Sequence, residues 1–214
     1  MNEILSFALL CLTSFFTLTN PLGTMPIFMT MTMELNDTDR QRIAKKACIV
    51  AFVTLLVFAF SGQLLFKFFG ISVDSFRVAG GIIFFTIGMD MLQARITKVK
   101  VSESEIKSYS NDISVTPLAI PLICGPGAIT NSIVLMEAAT TVWLKITLIV
   151  CISLVLFFCY FILRSSSTII KFLGETGNNV LMRLMGLIVM VIAVEFFFSG
   201  LRPILQSIFN ISTQ

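Results

Sequence analysis

Charged residues punctuate this chain so sparsely that the intervals between them define its elements. Ile4 to Met33 is a run of 30 residues without a charge, Ala47 to Phe66 one of 20, Ile113 to Met136 one of 24 and Ile146 to Leu163 one of 18. Two further runs hold a single acid each: Val78 to Ala94 contains Asp90, and Leu184 to Leu201 contains Glu195. A helix that crosses the hydrocarbon core of a bilayer needs about 20 mainly apolar residues. In lipid only helices and closed barrels satisfy their own backbone, and these runs lack the alternation of barrel strands. The pattern therefore predicts an all-α polytopic membrane protein with six transmembrane helices.

Composition narrows the possibilities without changing that picture. Of 214 residues, 56% are hydrophobic and 13% charged, against about 25% charged in a soluble domain. A water-soluble fold could not cover itself with so few polar side chains, and disorder or a disulfide scaffold is excluded on the same ground. The chain contains no His, which removes His-dependent triads, His-ligated metals and His proton relays. A net charge of +3 is too small to suggest nucleic-acid binding. Cys11, Cys48, Cys124, Cys151 and Cys159 lie in apolar runs without CxxC spacing, a pattern of packing residues rather than disulfides or metal ligands. No P-loop, nucleophile elbow or zinc motif is present. No metal and no cofactor is expected, and the chain is not expected to be an enzyme.

The distribution of Lys and Arg predicts orientation. Residues 34–46 carry Arg40, Arg42, Lys45 and Lys46; residues 95–112 carry Arg95, Lys98, Lys100 and Lys107; residues 164–183 carry Arg164, Lys171 and Arg183. The opposite side has only Lys67, Arg77, Lys145 and Arg202. The three basic segments are expected in the cytoplasm and both termini outside, which for a bacterial inner membrane means the periplasm. Glu3 stands where a secretory signal would be basic, and no small-residue cleavage site follows, so the first run reads as a permanent span. The longest hydrophilic stretch, Arg95 to Asp112, is too short for an attached soluble domain.

Landmarks recur between the two halves. Asn20-Pro21-Leu22-Gly23 interrupts the first run and Gly125-Pro126-Gly127-Ala128 the fourth. Gly80, in Arg77-Val78-Ala79-Gly80, follows Pro21 by 59 residues; Gly186, in Arg183-Leu184-Met185-Gly186, follows Pro126 by 60. Phe69-Gly70 and Leu173-Gly174 precede these segments in turn. The reading is one three-helix repeat at 1–94, a cytoplasmic linker at 95–112 and a second repeat at 113–214. Three spans is an odd number, so the second copy enters the membrane inverted. Such inverted pairs, with interrupted helices at matching positions, are a signature of secondary transporters.

The interruptions are the candidate site. Thirty residues of helix at about 1.5 Å each would reach roughly 45 Å against a core of about 30 Å, so a break within the first run is expected. Pro21 cannot donate a backbone bond, and Pro26 falls near the start of a new half-helix. Pro117, Pro121, Gly125, Pro126 and Gly127 repeat the device in the fourth run. Irregular backbone at membrane depth survives only when buried in protein or lining a wet cavity. The first amides of each new half-helix, near Gly23 to Met25 and Gly127 to Ile129, are expected to lack partners and to form a positive pole for a carboxylate or other small anion. Asn20, Pro21, Gly23, Thr24, Gly125, Pro126, Gly127 and Thr130 are the candidate binding residues, with Thr19 and Asn131 beside them. Asp90 and Glu195, the only acids within apolar runs, are candidates for proton coupling or for binding an ammonium group, Asp90 the weaker because it lies near a span end. Arg77 and Arg183 read as interfacial anchors before substrate ligands.

The residues at the breaks make the chain recognisable. It resembles the MarC family, which includes small neutral amino acid transporters and is grouped with the LysE-like exporters. Asn20, Pro21, Gly23, Pro26 and Phe28 match one family pattern; Phe69, Gly70, Ile71, Phe76, Arg77, Gly80 and Gly81 match a second; Pro117 through Ile129 match a third. The resemblance implies a secondary carrier of a zwitterionic substrate such as glycine or alanine, with H+ or Na+ as candidate coupling ions. The alternatives kept beside it are a channel-like exporter of small solutes and an intramembrane enzyme built on Asp90 and Glu195.

Overall fold

A computed structural model describes residues 3–32, 35–93 and 113–209. The expected linker 95–112, with its four basic residues, lies outside the described residues. The chain forms α1 (Glu3–Thr19), α2 (Pro21–Met31), α3 (Asp37–Phe69), α4 (Val73–Leu92), α5 (Ser114–Ile123), α6 (Pro126–Ala138) and α7 (Val142–Phe209). No strand occurs among the described residues. Five helical stretches are long and apolar enough to cross a membrane, and six when α5 and α6, bent by 61°, count as one. Those stretches include Glu3–Met31, which joins α1 and α2, and two limbs of α7, Val142–Ser166 and Asn179–Phe209.

Two boundaries differ from the charge-defined intervals. The first basic segment is largely helix, because α3 begins at Asp37 rather than at the start of its apolar run. Asn36 caps it by accepting from the Asp39 amide at 2.8 Å. Asp37 and Asp39 lie in the first turn, where negative charge meets the positive end of the helix. Each acid also pairs with an Arg three residues on, Asp37 with Arg40 at 3.3 Å and Asp39 with Arg42 at 3.5 Å. Arg40 in addition donates to the carbonyls of Thr32 and Leu35, both at 3.0 Å, joining α3 to the end of α2. The basic segment 164–183 is likewise helical, interrupted only at Gly174, whose φ of 67° and ψ of 179° suit glycine alone. Gly70 ends α3 at φ 64°.

The short helices occupy the centre and the long ones surround them. In α2 every residue from Gly23 to Thr30 is buried, and in α6 so is every residue from Pro126 to Thr130. The long helices turn large apolar side chains outward, among them Phe60, Phe157 and Val191, as expected of surfaces that face lipid tails. The most extensive packing is between α4 and α7. It is made by small residues: a Cβ on Gly81 would lie 2.8 Å from the Ala193 carbonyl, and one on Gly186 2.9 Å from the Gly88 carbonyl. Without a hydrophobic driving force between helices in lipid, such close backbone approach supplies the association energy through dispersion contacts.

Candidate functional site

At the first break the chain leaves α1 through Asn20, held at φ 40° and ψ 62°. Asn adopts this left-handed conformation more readily than other non-glycine residues. Pro21 then opens α2 at a position where its missing N–H costs nothing. The expectation of open amides near Gly23 to Met25 is corrected here. The Gly23 N–H donates to Asn20 Oδ1 at 3.2 Å and to the Asn20 carbonyl at 3.0 Å, and the Thr24 N–H donates to that carbonyl at 3.0 Å. Met25 already lies within the regular helix. A Cβ on Gly23 would fall 2.8 Å from Asn20 Cγ, so the glycine is what lets the cap fold down. The Thr24 hydroxyl donates to the Asn20 carbonyl at 3.1 Å. Of the first amides of α2, only that of the exposed Leu22 is left without a partner among the described residues.

The second break is built differently. Thr116 and Ile120, each before a proline, take extended backbone inside α5, because the proline ring disfavours the α conformation in the residue before it. Both prolyl bonds are cis. The Cys124 amide donates to the Ala119 carbonyl at 2.7 Å, ending the wide turns of α5. Gly125 caps α6 with extended backbone and no side chain to offer. The first regular bond of α6 runs from the Ile129 N–H to the Gly125 carbonyl at 3.0 Å. Pro126 has no N–H, and among the described residues the amides of Gly127 and Ala128 have no partner. A helix start with unsatisfied N–H groups attracts negative charge.

Tertiary packing brings the two breaks to a shared wall. A cavity of about 20 Å³ at the first break is lined by Leu18, Asn20, Gly23, Thr24 and Phe84, among others. A cleft of about 300 Å³ at the second is lined by Leu18, Arg77, Gly127, Thr130, Asn131 and Ser199, with Phe196 and Val134 completing its apolar wall. Leu18 borders both. Phe84 lines the small cavity, and its ring would be struck by a Cβ on Gly125. Of the expected residues, Asn20, Gly23 and Thr24 meet in one cavity, and Gly127 and Thr130 in the other. Pro21, Gly125 and Pro126 line neither. Pro126 packs where a Cβ on Gly80 would collide with its ring, and so locks α6 against α4.

Thr19 and Thr130 are buried, and among the described residues their hydroxyls have no hydrogen-bond partner. Asn131 Nδ2 donates to Ser14 Oγ at 3.0 Å, tying α6 to α1. Asp90 and Glu195 are exposed and line neither cavity. Arg183 is exposed as well. Arg77, expected foremost as an anchor, instead lines the cleft at the second break. It is paired with Asp74 at 3.3 Å, both side chains about 30% exposed. Nothing in its sequence neighbourhood signals this. It follows from the close approach of α4 to α7 at Gly200, where a Cβ would lie 2.8 Å from Arg77 Cβ. Two further grooves, of about 490 and 290 Å³, lie between α3 and α7 and between α4 and α7, and are lined mostly by apolar side chains.

Helices of spanning length enclosing two helix breaks and a polar cleft define a multi-pass integral membrane protein. The chain belongs to the MarC family of integral membrane proteins, whose family pattern matches residues 5–205. It is 40% identical over 202 residues to a UPF0056 membrane protein of Pyrococcus horikoshii, covering 94% of this chain and 98% of the relative. It is 37% identical to YvbG of Bacillus subtilis, covering 94% and 99%, and 34% identical to YhcE of Escherichia coli, covering 91% and 92%. Both are UPF0056 membrane proteins of bacteria. No solved structure matches the chain.

Proposed function

We propose that this protein is a secondary carrier of small neutral amino acids, such as glycine or alanine, in the bacterial inner membrane. In this reading it consists of two inverted three-helix repeats, 1–94 and 113–214, with broken first and fourth helices. The three basic segments face the cytoplasm and both termini the periplasm. The observation that carries the proposal is that the two breaks, 105 residues apart from Pro21 to Pro126, each start a new helix in the protein's centre against the same Leu18 side chain. Gly70 and Gly174, which hold positive φ between successive long helices in each half, support the repeat.

The unequal cavities fit alternating access. The 20 Å³ at the first break has room for about one water, whereas the 300 Å³ cleft at the second has room for a small solute. With Arg77 outside, as the charge pattern predicts, the cleft opens to the periplasm and the cytoplasmic path is shut. Rocking of one repeat against the other would exchange the two. The small cavity also favours a carrier over a continuous channel. The test is counterflow in proteoliposomes: glycine or alanine on the far side should accelerate exit of labelled amino acid. Flux indifferent to solute on the opposite side would establish a channel instead.

A further inference from the structure

We propose that the cleft at the second break is a carboxylate site in which Arg77 supplies the charge and the start of α6 supplies the fixed dipoles. The inference rests on the carrier reading for the identity of the natural solute but not for the chemistry of the site. Three observations converge on one wall. The Gly127 and Ala128 amides have no partner among the described residues, and Gly127 lines the cleft. Thr130, one turn further along α6, lines the same cleft, is 2% exposed, and holds a hydroxyl without a hydrogen-bond partner. Arg77 faces them from α4. A buried hydroxyl without a partner costs free energy that a hydrogen bond to a ligand oxygen would recover.

The competing charge is Asp74, which takes one N–H direction of Arg77 at 3.3 Å. A guanidinium has five donors, so a second carboxylate can be held without breaking that pair. Leu18, Val134 and Phe196 supply the apolar part of the cleft's wall. Gly127 must remain glycine for the amides to be reachable, because a Cβ there would lie 2.6 Å from the Phe196 ring and 3.0 Å from Leu18. The first break differs: Asn20 accepts from the Gly23 and Thr24 amides, only the exposed Leu22 amide is left without a partner among the described residues, and no basic residue is among those lining its cavity. The two breaks therefore divide the work, with the anionic end of the solute assigned to the second.

Purified full-length protein in detergent tests this with sodium propionate, its neutral isostere propionamide, and sodium chloride at equal ionic strength, read as shifts in the thermal unfolding midpoint. Propionate should raise the midpoint in a saturable manner, and the other two should not. Arg77→Gln should weaken the propionate response about tenfold or more, Arg77→Lys less, and Thr130→Val several-fold. Thr130→Val should fold at least as well as the wild type, so it decides the matter if Arg77→Gln is unstable. Equal responses to propionate and propionamide, equal responses to propionate and chloride, or wild-type propionate binding by Thr130→Val would overturn the site. Amino-acid counterflow that persists without any propionate response would leave the carrier standing and remove this site. Propionate binding in a protein without counterflow would do the reverse.

Discussion

The two helix breaks both use proline and glycine but differ in the residue that caps the new helix, Asn20 at the first and Gly125 at the second. At the first, Asn20 turns left-handed and folds its side chain over Gly23, so the new helix begins already capped. At the second, Gly125 stands in the capping position with no side chain, and two amides behind it stay unpaired among the described residues. The Asn20 side chain, together with the tight turn that brings its carbonyl to the Gly23 amide, accounts for the difference. Proline and glycine interrupt a helix in either case, but only the capping residue decides whether the interruption keeps its dipole for itself or presents it to a solute. The cavities follow suit, about 20 Å³ at the capped break and about 300 Å³ at the uncapped one.

The largest effect is expected at Gly127. Gly127→Leu should fill the cleft against Phe196 and Leu18 and lower amino-acid counterflow at least about a hundredfold, the scale of losing several ligand contacts at once. Membrane insertion, followed by protease accessibility of tagged termini, should be unchanged, and normal counterflow in a correctly inserted variant would refute the assignment. At the first break, Asn20→Ala should cost stability instead of binding. It loses a cap worth about 1–2 kcal/mol and leaves a non-glycine residue at positive φ, visible as a lower unfolding midpoint with propionate affinity retained. Asn20→Gly should recover part of that loss, because glycine accepts the backbone angle while giving up only the side-chain bond. Thr130→Val should stabilise the unliganded protein by up to about 1 kcal/mol, read as a higher unfolding midpoint, since it removes a buried unpaired hydroxyl without changing shape. Smallest of all, Asp90→Asn with Glu195→Gln should change counterflow by less than about twofold, because both acids are exposed outside the two cavities. A large loss in that double variant would restore them as coupling groups.

Much of the architecture was readable from single residues. The scarcity of charge located every long helix, since an apolar run of sufficient length has no stable place other than the bilayer. Asn20 and Gly125 marked both breaks. The self-capping of the first was readable too: an Asn three residues before an amide it can accept from is a standard start signal, and the expectation of open amides at Gly23 overlooked it. The start of α3 at Asp37 was hidden because its first turns are held by caps and ion pairs rather than by apolar periodicity. Arg77 was hidden for a different reason. Its place at the beginning of α4 suits an interfacial anchor equally well, and only the approach of α4 to Gly200 carries it into the cleft.

The residues in chain order are therefore enough to place the protein in lipid, to bound its candidate spans at five or six, and to mark Asn20 and Gly125 as points where a new helix begins. These are local properties, set by the transfer free energy of each side chain and the dihedral limits of Pro, Gly and Asn, and they accumulate along the chain without reference to distant partners. Only packing decides which helix start borders the larger cleft, that Leu18 lines both cavities, and that Arg77 rather than Glu195 or Asp90 lines the cleft with Gly127. Those outcomes depend on cavities and unpaired groups, and whether an amide is satisfied or a cavity filled is settled by atoms from segments that only packing brings within reach.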